Sequence, residues 1–165
     1  MNKIVKNKIV KTLTVLGLCL ALGGVVAADR ARAADDAVSG HMVAQAMLTA
    51  HFIAAAVKAG MSKDDINAAL TRVAAGSAIS EFWISDEQGR IEFSNIPGTS
   101  FKFPTDPAAK GQAAPFAALL DGSKTVVVQG FQARELDAKM FKYVGVVGVD
   151  KRRIVQVGVS KGDGS

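Results

Sequence analysis

The residues best suited to hold a small molecule are aromatic. Trp83, Phe101, Phe103 and Phe116 could wall a pocket, because small-molecule sites are commonly apolar surfaces with a few placed polar groups. The same four suit a plain core, in a chain where aromatics make up only 6% of the residues. Three polar residues could orient a ligand. Arg134 offers a planar fork for a carboxylate, or else a solvated strand end. Tyr143 carries a hydroxyl that needs a partner once buried, either a ligand or a backbone carbonyl. Asp150 could receive an amine, or serve as an ordinary turn acid beside Lys151.

Metal chemistry has a thinner basis. His41 and His51 are the only histidines, and ten residues apart on a helix they do not share a face. Met47 and His51 do share one, at i and i+4, and Met61 follows nearby. A soft copper site or a His/Met-ligated haem is the alternative these residues raise. Methionines on an alanine-rich helix otherwise serve as core filler. No Ser/His/Asp spacing, H-E-x-x-H, P-loop or G-x-S-x-G is present, so no nucleophile or general base is nominated. The expectation is a non-enzyme without a cofactor.

The N-terminus reads as an export signal. Lys3, Lys6, Lys8 and Lys11 precede an apolar run from Leu13 to Val26, and Ala31-Arg32-Ala33 offers an A-x-A cleavage site. Ala27 and Ala28 are earlier candidates. The run, roughly 14–16 residues, falls short of the ~20 that span a bilayer, which favours a cleaved signal peptide at 1–33 over an anchor. An uncleaved inner-membrane anchor facing the periplasm is the alternative. Cys19, the single cysteine, follows Leu18 inside this run and reads as filler rather than a lipid-attachment site. Disulfides and cysteine zinc sites are thereby excluded from the remainder.

The net charge of +5 belongs to the leader. Of 20 basic and 15 acidic residues, Lys3, Lys6, Lys8, Lys11, Arg30, Arg32 and Asp29 lie within 1–33, so the remaining 132 residues hold 14 of each sign. A neutral domain has no positive field for nucleic acid, and that partner is set aside.

The elements that must position these residues follow from periodicity. Residues 37–58 predict a helix with an apolar face of Val43, Met47, Leu48, Phe52, Ala54, Ala55 and Val57, stopped at Gly60. Ser62 to Asp65 reads as a capping box opening a second helix, with Ile66, Ala69, Leu70 and Val73 on one face, ending near Gly76. Ile79–Ser85 and Arg90–Ser94 flank an Asp86-Glu-Gln-Gly89 turn and predict a hairpin. Residues 95–123 hold all four prolines and predict an irregular crossover, with a short helix over Ala113–Leu120. Lys124–Arg134, Ala138–Val149 and Arg153–Val159 predict an antiparallel meander. Odd positions of the middle strand share one face, and Gly145 leaves room there for a ligand or a close-packed helix. Residues 34–160 form one α+β domain, and 161–165 a disordered tail.

The stretch Glu81-Phe-Trp-Ile-Ser-Asp-Glu-Gln-Gly-Arg90 resembles the first hairpin of the Cache family, extracytoplasmic relatives of PAS domains. Phe141-Lys-Tyr-Val-Gly-Val-Val-Gly-Val-Asp150 and Ile154-Val-Gln-Val157 are similar to its last two strands. The resemblance covers roughly residues 37–160. It implies a long N-terminal helix and a second helix packed on a five-stranded antiparallel sheet. It also implies a pocket for small molecules, often carboxylates or amino acids, between the sheet and the crossover. Nothing after Ser165 supplies a membrane span or signalling domain, so a stand-alone soluble version is expected.

The expected function is a periplasmic sensor-type module binding a carboxylate, amino acid or amine through Trp83, Phe101, Phe103, Phe116, Arg134, Tyr143 and Asp150. A membrane receptor or transporter would be its partner. The alternatives are a copper or haem carrier using Met47, His51 and Met61, and an adaptor that dimerises through its alanine-rich first helix.

Overall fold

The absence of proline and the alanine-rich composition before Gly60 carry one helix, α1, over Lys3–Lys58. The computed structural model describes residues 3–135 and 137–162, with side chains from residue 30 onward. The leader side chains, with Ala27 and Ala28, and the tail from residue 163 lie outside the described residues. Two compact units divide at Val38/Ser39. The first is helix. The second, Ser39–Ser165, is the domain described below.

Among the described residues, one helical stretch, Arg30–Lys58, is long and apolar enough to cross a membrane by length and composition. Such an apolar N-terminal helix is compatible with export, as a signal sequence or as an anchor. Within the domain, however, Met42, Ala46, Ala50, Ile53 and Ala56 of α1 are buried in a core with strand residues. This corrects the expected apolar face. Met47, Leu48, Phe52 and Val57 are 36–64% exposed. The buried face is the one that carries Ala46, Ala50 and Ala56 with Met42 and Ile53, a smaller face rather than a more hydrophobic one.

Helix α2 (Lys63–Ala75) starts where the capping box places it. Ser62 Oγ accepts from the Asp65 amide at 3.1 Å, and Ile66 and Leu70 are buried. Val73 stays 48% exposed. Strands β1 (Glu81–Ser85) and β2 (Ile91–Ser94) form the expected hairpin. The crossover carries a 3-10 turn at Ala114–Phe116 running into α3 (Ala117–Asp121). The predicted third strand is split into β3 (Val126–Val128) and β4 (Gln132–Ala133). The three residues between Val128 and Gln132 oppose the two between Val144 and Phe141, so the chain bulges there.

Strands β5 (Met140–Val147) and β6 (Ile154–Ser160) complete a six-stranded antiparallel sheet in the order β2-β1-β6-β5-β3, with β4 pairing β5 beyond that path. The fold is α+β. Both faces of the sheet are covered, which is why β1 is buried at every position. Phe82, Ile84, Val144, Val146, Val155 and Val157 pack on the side of α1 and α2. Trp83, Val127, Phe141, Tyr143 and Ile154 face the crossover.

Candidate ligand pocket

Strand register builds the floor of the site. Antiparallel pairing puts Trp83 opposite Gln156, and Gln156 opposite Gly145. The neighbouring row on the same face is Glu81, Gly158 and Tyr143. The crossover forms the roof. It is held at one end by the Phe103 amide, which donates to the Gly89 carbonyl at 2.9 Å. Gly89 has φ +78°, and a Cβ there would lie 2.4 Å from the Phe103 oxygen, so only glycine lets the roof sit this low. The turn below is set by Asp86, whose carboxylate accepts from the amides of Gln88 and Arg90, each at 2.9 Å. Partial burial opposes its ionisation, but the Arg90 guanidinium at 2.7 Å and these amides outweigh it and hold the Asp86 carboxyl below its usual range.

At the other end, a Cβ on Gly145 would meet the Phe116 ring at 2.7 Å and Leu119 at 3.1 Å. The space beside Gly145 is therefore filled by the crossover helix. Between these two anchor points a hollow of about 350 Å³ remains. Its wall is a run of edge-to-face rings: Trp83 to Phe101 at 5.5 Å, Phe101 to Phe103 at 4.9 Å, and Phe103 to Phe116 at 6.1 Å. Phe103 and Phe116 are buried, whereas Phe101 is 40% exposed at the mouth.

The polar side of the pocket centres on Glu81, a buried carboxylate that sequence reasoning missed. Its Oε2 accepts from Trp83 Nε1 and from the Tyr143 hydroxyl, each at 2.9 Å, and its Oε1 pairs with Arg134. Arg134 in turn grips Asp137 with two parallel bonds, Nε to Oδ1 at 2.5 Å and Nη2 to Oδ2 at 2.6 Å, and lies 4.3 Å over the Phe141 ring. These contacts set the ionisation of the corner. The Asp137 bonds, with Tyr143 and Glu81, raise the Arg134 guanidinium further above its ordinary value, though burial opposes them. Asp137, bonded to that guanidinium, falls from the ordinary 3.8 to about 2. Burial, then the Glu81 charge, pushes the Tyr143 phenol well above 10.0.

Six of the seven expected ligand residues, Trp83, Phe101, Phe103, Phe116, Arg134 and Tyr143, line this one hollow. Asp150 does not. It accepts from Arg153 Nη2 at 2.9 Å in the β5–β6 connection, within an ion cluster that includes Glu92 and Lys151. Two roles also need correction. Three of the five Arg134 N–H groups are committed, two to Asp137 and one to Glu81, so its fork is taken up by carboxylates of the protein itself. The Tyr143 hydroxyl is satisfied by Glu81, which is neither a ligand nor a backbone carbonyl.

Gln112, Gln129 and Gln156 also line the pocket and were not singled out from sequence. Gln156 carried a signal, as the one polar residue in the run Ile154-Val-Gln-Val157. Glu81 carried another, as the charge that opens an otherwise apolar strand. Met47 and His51 share a small groove with Thr125 and Val149, away from the hollow, and Met61 is not part of it. Among the described residues no group of three or more His, Cys, Asp or Glu is placed to hold a metal. A scan of protein-family models gives no match to this chain, and no curated protein matches it.

Proposed function

We propose that this chain is an exported, sensor-type module that binds a small organic solute in the hollow between the crossover and the sheet. Its working compartment is the periplasm, where a membrane receptor or transporter would receive the occupied form. The observation that supports this reading is the unfilled volume of about 350 Å³ behind Trp83, Phe103 and Tyr143, which falls in the range of small-ligand sites. Apolar walls with a confined polar corner exclude water and orient a bound molecule.

Thermal-shift screening of the purified protein against carboxylates, amines, amino acids and amides tests the proposal. A ligand that binds only the folded state raises the melting temperature in proportion to its occupancy. The expected result is stabilisation by at least one class. A flat response across the panel, with native mass spectrometry showing nothing retained, overturns it.

A further inference from the structure

One of the three glutamines of the pocket wall specifies the ligand further, provided that the hollow is a binding site as proposed above. Gln129 Nε2 donates to the Gln112 carbonyl at 2.6 Å, which fixes the orientation of that amide and leaves Oε1 as its free atom. Gln112 Oε1 accepts from the Glu135 amide at 3.3 Å, which leaves its Nε2. Both leftover atoms, one donor and one acceptor, are buried without a partner. Each has less than 1 Å² of accessible surface, so neither presents a face that a molecule in the hollow could reach. The wall amide that does face the hollow is Gln156, 5% exposed on the floor, whose side chain makes no hydrogen bond among the described residues and so offers one donor and one acceptor to an occupant.

The charged corner argues against an ionic head. Among the described residues Arg134 is the only charged one lining the hollow, and it is matched by two carboxylates, Glu81 and Asp137. An anion entering there meets more negative than positive charge. A cation would have to compete with Arg134, Trp83 and Tyr143 for the Glu81 and Asp137 oxygens that already accept from them. We infer that the pocket takes an uncharged ligand with an amide-type edge, a carbonyl acceptor beside an N–H donor, on an apolar frame. Primary amides, lactams and nucleobase edges share that chemistry.

A matched series on one ring tests this: benzamide, benzoate, benzylamine and toluene, titrated into the full-length protein by calorimetry. Benzamide should bind at least about tenfold more tightly than the other three, the scale of one or two well-made hydrogen bonds. Gln156→Met should erase most of that preference while toluene binding persists; if the variant fails to fold, the series on the unaltered protein still decides. Toluene binding as tightly as benzamide, or benzoate or benzylamine binding best, overturns the amide assignment and leaves the pocket in place. Binding of none of the four overturns both readings.

Discussion

Tyr143 donates its phenolic hydrogen to Glu81 across the full width of β6, and it can do so because Gly158 lies between them. A Cβ at Gly158 would stand 2.6 Å from Tyr143 Cε1 and 3.4 Å from the Glu81 Cβ. Gly158→Ala should therefore force the ring aside and destabilise the fold by about 1–3 kcal/mol. Tyr143→Phe, which only removes the hydroxyl, should lose about 1–2 kcal/mol. Denaturant titration of both variants checks the order; equal stability to the parent would mean that this bond contributes nothing.

Removing Arg134 should be more damaging than removing Tyr143. Arg134→Met leaves Glu81 buried with an uncompensated charge, a situation that typically costs about 3–5 kcal/mol. Adding Glu81→Gln to that variant should restore part of the loss, since the two effects are coupled. A double-mutant cycle measures the coupling, and strict additivity would contradict it.

Acid should weaken the fold through Asp137. Its folded value of about 2 lies below the ordinary 3.8, so its contribution is complete above 3.8 and disappears as the pH falls from there towards 2. Asp137→Asn should flatten that part of the stability–pH curve. An unchanged acid limb in the variant would assign the effect to other carboxylates.

At the alkaline end the sign is opposite. A buried phenol raised above 10.0 stays protonated in the folded state, and stability is lost as the pH rises past 10.0 because the unfolded chain ionises first. Tyr143 is the only tyrosine, so phenolate absorbance reports it alone. The expected curve stays flat through pH 10 and rises together with unfolding. Free titration near 10 in the folded protein would show a solvated hydroxyl.

Trp83 is likewise the only tryptophan, and it forms part of the pocket wall. Any ligand seated in the hollow should change its emission, with an amplitude that saturates at the calorimetric affinity. Heat of binding without a change in emission would place the ligand elsewhere.

What could be read from the chain beforehand was mostly what is local. The capping box at Ser62, the Asp86–Gly89 turn and the crossover prolines act over four residues or fewer, and the elements they bound are present in the structure. The face of α1 was misread because hydrophobicity identifies what resists water, whereas the face packed in the core carries three alanines with Met42 and Ile53. The pocket aromatics were legible as a set. Their polar partners were not, because Glu81 lies 53 residues from Arg134 and 62 from Tyr143, and only the fold brings them together. Asp137, three residues from Arg134 and between two predicted strands, was within reach of sequence reasoning.

The covering of the sheet on both sides interleaves two kinds of information in the same strands. Phe82, Ile84, Val144, Val155 and Val157 anchor the helices, while the residues between them, Trp83, Tyr143 and Gln156, look into the hollow. Trp83 and Gln156 can thus be exchanged to reshape the hollow, whereas Glu81, Tyr143, Gly145 and Gly158 on the same face also hold the fold. A sheet of this kind is suited to acquiring new chemical tastes by a few substitutions, with its architecture carried along unchanged.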